Sequence, residues 1–510
     1  MSGRVLPTTL PSIVCPEGGP GSETWAVNAT DAHDIRTTLQ FASAHNLKVN
    51  VNNTGHAGVG RSSTCGALYI HTGEMKGAEF HENYTPRSCP SSKSHMAATL
   101  GAGQQDEETF HALAKHNAVT VGGTFSTVGI VGWATGGGHG WLTSTYGMGA
   151  DNILELEIVT PKGDILTANE CQNADIFWAC RGGGGGTFGV ITSITMKAYP
   201  QPKTSVWFWT VAGAANMTKS GDEWWNLVAS LHTRMPALND AGFQGYYTIL
   251  GGPGDASPPT IGGYFMAFDK SNATMHSAIA SFLTPATQLA QETGLVNVTG
   301  NQLTHYATWI DAYDVLPTQS RDSADGPGGV ISTTRLVTRE ALTADVEASA
   351  RMFRTIGPQS YLTDRGVEGH IIAGSLIASH VPVNSALNPA WRPTTTHLIV
   401  KSSWSKALDT GVVEELNDYA VNVTGRAMRG LSPDSGCYLN ECDAYEPDFQ
   451  NAMYGANYAR LRAIKQMVDP EGLLWCRRCV GSEEWAYDER SGRLEKRGTG
   501  DVWPNFAWGA

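Results

Sequence analysis

His56 lies in the run Asn53-Thr54-Gly55-His56-Ala57-Gly58-Val59-Gly60-Arg61-Ser62-Ser63, where it is the side chain able to attack a bound group. The glycines let bare backbone N–H groups converge on an anion such as a pyrophosphate, and the imidazole is a nucleophile. That pairing predicts a tethered cofactor. Two more glycine runs follow: Gly122-Gly123-Thr124-Phe125-Ser126-Thr127-Val128-Gly129 through Gly136-Gly137-Gly138-His139-Gly140, and Gly182 to Gly186. None fits the commoner nucleotide folds. There is no Gly-Lys-Ser/Thr phosphate loop, and no Gly-x-Gly-x-x-Gly between a strand and a helix with an acid about twenty residues on. A single run would read as tight turns in a β-rich domain. Three along one α+β unit predict a long, thin ligand lying against backbone in several places.

The elements that must position these loops are legible. Thr30-Asp31-Ala32-His33-Asp34 starts a helix, Ile35, Leu39 and Ala42 follow at helical spacing, and Asn46 stops it. Leu47, Val49 and Val51 then alternate as a strand that delivers the chain into the His56 loop. A second helix begins near Asp106 and carries Phe110 and Leu113, and Val119-Thr120-Val121 runs into the second glycine segment. Alternation from Ile153 to Pro161 and from Val190 to Ala198 predicts strands, with Pro161-Lys162-Gly163-Asp164 as a turn. Beyond Pro200-Gln201-Pro202, the groups Trp207-Phe208-Trp209, Trp224-Trp225, Tyr246-Tyr247 and Tyr264-Phe265 are expected on strands of a separate sheet, most in its core and the rest against a ligand. Glu446 to Val468 reads as one helix.

A chain of 510 residues exceeds what one core organises, so at least two domains are expected. Lys plus Arg number 35 against 48 Asp plus Glu, a net charge of −13 with no basic run, which argues against nucleic acid. No apolar stretch approaches the ~18 residues of a membrane span, and Met1 to Pro7 lacks the apolar core of a signal peptide. Asn-x-Ser/Thr sequons at Asn28, Asn52, Asn83, Asn216, Asn272, Asn297 and Asn422 nevertheless point to secretion, with the leader missing from this chain. Of nine cysteines at least one stays unpaired. Cys437-x4-Cys442 with Cys476-x2-Cys479 could be a zinc tetrahedron, disulfides or buried thiols; no catalytic context surrounds them, and no metal is expected.

Several of these runs together resemble the berberine-bridge-enzyme-like FAD oxidoreductases of the vanillyl-alcohol-oxidase group, in a fungal form. The carriers are the His56 loop, Gly122 to Gly140, Gly147-Met148-Gly149-Ala150-Asp151-Asn152, Phe177-Trp178-Ala179-Cys180-Arg181-Gly182 to Gly189, Asn457-Tyr458-Ala459-Arg460-Leu461 and Asp469-Pro470. The resemblance spans about residues 20 to 485. It implies an α+β fold: a PCMH-type FAD-binding domain at 20–200, an inserted substrate domain on an antiparallel sheet at 201–435, a closing berberine-bridge-type segment at 436–485, and a tail at 486–510. His56 would be bonded to the 8α-methyl of FAD. Where many relatives make a second bond through cysteine this chain has Phe125, so the tether should be single.

FAD contacts are implied for Thr54, Gly55, Ala57, Gly58, Gly60, Arg61 and Ser62. Further along they fall on Gly122, Ser126, Thr127, Val128, Gly129, Gly137, Gly138 and Gly140, then on Gly189, Val190, Ile191 and Asn457. Trp133 stands where some relatives place a histidine near flavin N1, and His139 either supplies that charge or is a packed or capping residue. Val128 matches a position that gates oxygen, where valine goes with oxidases. The base falls within Tyr438-Leu439-Asn440-Glu441-Cys442-Asp443. On a strand, Tyr438 and Asn440 would face one way and Glu441 the other. By position Glu441, with a raised pKa, is the expected base and Tyr438 the runner-up. The implied enzyme is a monomeric oxidase that takes hydride from an alcohol, a sugar hydroxyl or a secondary-metabolite C–H and reduces O2 to H2O2. A dehydrogenase or oxidative cyclase of the same family, or a binding glycoprotein that has lost catalysis, are its rivals.

Overall fold

Asp31 caps the first helix, Ala32–Ala44, by accepting from the N–H groups of His33 and Asp34, and Asn46 ends it at φ 52°. The chain then enters the strand Val49–Asn52, which pairs in parallel with Leu68–His71, itself parallel to Trp25–Asn28. The computed structural model describes residues 25–497 apart from 65, 91–92, 215–220, 253–257, 317–328, 359–363, 373–382, 405–407 and 489–492. Beside the three-stranded unit lies an antiparallel sheet in the order Ala78–Tyr84, His95–Gly101, Val190–Lys197, Ile153–Val159, Ile165–Asn169. Helix Asp106–Ala114 buries Phe110 and Leu113 against the same core.

A seven-stranded antiparallel sheet forms the second unit, in the order Val296–Tyr306, Thr204–Gly213, Thr260–Phe268, Gln244–Leu250, Asp364–Ile371, Thr394–Trp404, Gly329–Thr338. Strand alternation divides its side chains between two faces. Trp207, Trp209, Tyr247, Phe265, Val367, Leu398 and Val400 face a core shared with helices Asp222–Asp240, Asn272–Thr293 and Val346–Ile356. Tyr246, Tyr264, Glu368, His370, Ile399 and Lys401 line a cavity on the other side.

Two local expectations fail. Trp224 and Trp225 lie on the helix Asp222–Asp240, because Leu227, Val228, Leu231, Met235 and Leu238 continue a helical stripe into the core. Glu446 to Val468 is not one helix: Gly455, at φ 58°, separates Phe449–Tyr454 from Tyr458–Val468. The zinc alternative also falls, since Cys437 pairs with Cys442 and Cys476 with Cys479 as disulfides; Cys89 pairs with Cys171. Cys180 is buried and unpaired, and Cys15 and Cys65 lie outside the described residues. No helix among the described residues is long and apolar enough to cross a membrane.

Candidate active site

A cavity of about 720 Å³ separates the glycine-rich loops from the open face of the seven-stranded sheet. On the loop side, Asn50 and Asn52 reach forward from their strand to the carbonyls of Arg61 and Ser62, at 2.9 and 3.1 Å, and so close the His56 loop on itself. His56 Nε2 is 2.9 Å from Thr127 Oγ1, and its ring lies 5.8 Å from that of Phe125. Phe125 thus packs beside the imidazole, where a second attachment would require a thiol. Arg61 is buried and donates to the Gly185 carbonyl and to Thr187 Oγ1, locking the third glycine run against the first loop.

The wall built this way fits FAD. Gly55, Gly58, Gly129, Gly132, Gly185 and Gly186 present backbone to the cavity, a Cβ on Gly132 would meet nothing within 4 Å, and Asn53 Oδ1 is buried with no partner among the described residues. His56, Thr54, Ala57, Ser62, Val128, Trp133 and Ile191 also line it. Gly60, Gly122, Ser126, Thr127, Gly137, Gly138, Gly140, Gly189, Val190 and Asn457 do not line this cavity. Several of those glycines serve backbone packing instead: a Cβ on Gly140 would fall on the Gly122 carbonyl, and one on Gly189 would meet Ile158. Asn457 braces the Leu387 carbonyl at 2.9 Å, and Trp133 donates from Nε1 to the His139 carbonyl at 2.8 Å.

The supposed strand at 438–441 is a turn. Glu441 N and Cys442 N both donate to the Tyr438 carbonyl, at 3.0 and 2.8 Å, inside the loop closed by Cys437–Cys442. Alternation therefore does not apply, and Tyr438, Asn440 and Glu441 all line the cavity. Asn440 donates from Nδ2 to Tyr438 Oη and to the Gly132 carbonyl, while its own carbonyl accepts from Gly58 N at 2.8 Å. The turn is thereby tied to the His56 loop. Burial pushes the Tyr438 phenol up, so it stays protonated.

Glu441 meets a cluster of imidazoles. His139 Nε2 is 3.1 and 3.2 Å from the two carboxylate oxygens, His397 Nδ1 is 3.6 Å from Oε2, and Tyr246 Oη is 3.2 Å from His139 Nδ1. Sheet register builds half of this cluster: Tyr246 pairs with His370 across one strand boundary and His370 with His397 across the next. Glu368, two residues before His370 on the same face, is bonded by Lys401 at 2.8 Å. Burial would raise the Glu368 carboxyl, but Lys401 and His370 hold it down to about 2. Burial would likewise raise Glu441, yet His139, His397 and His370 together hold it well below the usual carboxylate range. The expected raised pKa is thus reversed, because the neighbours are imidazoles rather than apolar groups. Burial pushes the His370 and His397 imidazoles down.

Sequence reasoning missed His370, His397, Glu368, Lys401 and the cavity role of Tyr246. The signal was present as alternation: Glu368 and His370 interleave with Val367 and Ile371, and His397 and Lys401 with Leu398 and Val400. Asp106 was read only as a helix start. It is buried, accepts from Gly123 N at 2.8 Å, and its burial pushes the carboxyl well up.

An FAD binding domain family model matches residues 25–169, and a berberine and berberine-like model matches residues 437–480. An uncharacterized FAD-linked oxidoreductase of Arthroderma benhamiae is 34% identical over 460 residues, covering 89% of this chain and 76% of its own. The crystal structure of the VAO-type flavoprotein MtVAO713 from Myceliophthora thermophila C1 superposes with a TM-score of 0.84 at 28% identity, over 92% of this chain and 82% of that one. Glucooligosaccharide oxidase from Acremonium strictum, with a 6-S-cysteinyl, 8α-N1-histidyl FAD, shares the fold at TM-score 0.67 and 17% identity, over 90% of this chain and 91% of that one. The chain belongs to the FAD-linked oxidoreductases of the vanillyl-alcohol-oxidase and berberine-bridge-enzyme family, and it is an oxidoreductase.

Proposed function

We propose that this chain is a secreted oxidase carrying FAD on His56 through a single covalent bond, and that it oxidises a hydroxyl-bearing small molecule such as a sugar or alcohol. One observation carries the reading: the cavity has the His56 loop as one wall and, opposite, a carboxylate ringed by imidazoles, with Tyr438 on the turn that joins them. FAD held by the His56 loop would supply a two-electron acceptor for the substrate hydride and, in air, the electrons that reduce O2 to H2O2. Glu441 takes the hydroxyl proton as the substrate C–H hydride departs, and His139, with Nε2 3.1 Å from the carboxylate, holds it in position. Tyr438, held protonated, donates to the substrate oxygen and fixes its position. Phe125 supports a single tether, because its side chain occupies the place of a second one beside His56. Val128 on the cavity wall is consistent with oxygen as the electron acceptor. Export is part of the same reading, and the three disulfides among the described residues support an oxidising destination.

Anaerobic mixing with a panel of oligosaccharides and alcohols tests the proposal. At least one hydroxyl substrate should bleach the flavin, and readmitted air should restore it with release of peroxide. A coloured protein that no member of the panel bleaches would favour a binding glycoprotein that has lost catalysis.

A further inference from the structure

We propose that His139, His370, His397 and Glu441 form a binding site for a divalent first-row transition ion of the zinc class, open on one side to the substrate cavity. One ligand atom from each of the four lies within 4.8 Å of every other. Metal–ligand bonds of about 2.0–2.1 Å at tetrahedral angles place ligand atoms roughly 3.3 Å apart. The separations of Glu441 from His139, 3.1 and 3.2 Å, and from His397, 3.6 Å, already bracket that value. Three imidazole nitrogens and one carboxylate oxygen are a borderline donor set, suited to zinc or cobalt and not to calcium or magnesium.

A second observation points to a ligand. His397 is fully buried, and neither of its ring nitrogens has a hydrogen-bond partner among the described residues; the same holds for His370 Nδ1. Buried polar atoms are normally satisfied, so an imidazole with both nitrogens unmatched, facing a carboxylate and two more imidazoles, is the arrangement an ion completes. The supports behind the ligands also suit that use. Tyr246 Oη stands at His139 Nδ1, on the far side of the ring from Glu441, and Glu368 Oε2 is 3.7 Å from His370 Nε2. Such partners fix ring orientation in metal-binding histidines. Three of the four ligands are on rigid elements or closed turns: His370 and His397 on paired central strands, Glu441 inside the Cys437–Cys442 loop. The Glu441 side chain keeps 33% of its surface, so the cluster reaches the cavity and offers the ion a side for a substrate oxygen. The site departs from the sequence expectation of no metal, which weighed only the cysteine pairs; these histidines lie on separate strands and loops.

The test uses the flavin-loaded protein, stripped with a chelator, dialysed against excess Zn2+ and freed of unbound ion. Elemental analysis should find about one zinc per chain. His397→Ala and His370→Ala should fall to background, while His305→Ala, whose histidine bonds Ser205 elsewhere on the sheet, should retain the ion. Glu368→Gln should weaken binding about 10–100-fold, as loss of a supporting partner does. Co2+ in place of Zn2+ should give visible bands of imidazole ligation in the unmodified protein, which decides the matter even where an alanine variant fails to fold. Wild-type protein holding no more zinc than His397→Ala, equal zinc in every variant, or a cobalt spectrum of the hydrated ion alone would each overturn the site. The site does not rest on the flavin reading, and with the ion bound Glu441 is a ligand rather than the free base: absent zinc with intact flavin bleaching defeats only the metal, and bound zinc on a protein without flavin defeats only the oxidase.

Discussion

At the scale of single residues, the proposed function places the chemistry on Glu441 and His56, and each makes a separable claim. Glu441→Gln keeps the shape but removes the proton acceptor, and it should slow flavin reduction about 10²-fold or more in anaerobic stopped-flow measurements. An unchanged rate would contradict that role. His56→Ala should lose acid-stable flavin while keeping some noncovalent colour, read as absorbance in the pellet and supernatant after acid precipitation. That His56 and Glu441 would meet at one cavity was legible in the sequence because each sits in a short contiguous motif whose neighbours specify the context. His370 and His397 were not, because their meaning depends on register between strands distant in sequence. Only the pairing of Tyr246 with His370 and of His370 with His397 puts them beside Glu441.

At the scale of elements, the C-terminal segment is held by one buried ion pair with its remaining bonds satisfied by backbone. Lys465 Nζ donates to Asp469, to the Thr187 carbonyl and to the Leu474 carbonyl, all within 2.7 Å, and Asp469 accepts from Leu473 N and Leu474 N. Lys465→Met would leave a buried carboxylate without its cation and should destabilise the fold by about 3–5 kcal/mol, measured by denaturant unfolding. Helix starts and strands such as Ala32–Ala44, Asp106–Ala114 and Val190–Lys197 agree with the periodicity because their apolar positions face one core. The turn at Tyr438 to Glu441 escaped it, since a disulfide five residues apart overrides local β preference. Likewise Trp224-Trp225 reads as a strand by residue type alone, and only the wider stripe reveals the helix.

Across the whole molecule, one buried histidine ties stability to pH. His232 sits fully buried in the core under the seven-stranded sheet, bonded to the Val228 carbonyl and Tyr247 Oη, and burial pushes its pKa down to about 4. The unfolded chain binds the proton more readily, so stability is full above about pH 6.5 and falls by roughly 3 kcal/mol as pH drops to 4. His232→Gln should flatten that part of the stability–pH curve relative to wild type, measured by denaturant melts at each pH. If the chain is exported through a glycosylating pathway, Asn28, Asn83, Asn272, Asn297 and Asn422 are exposed and should carry glycans, whereas Asn52 is buried on Ser62 and should not. Site-by-site mass spectrometry before and after deglycosylation reads this directly. The central claim, a flavin oxidoreductase whose cofactor is held by His56 alone, is tested most directly by digesting the denatured protein and weighing its peptides. The peptide containing His56 should carry the mass of FAD and the one containing Phe125 should not; an unmodified His56 peptide would contradict the account.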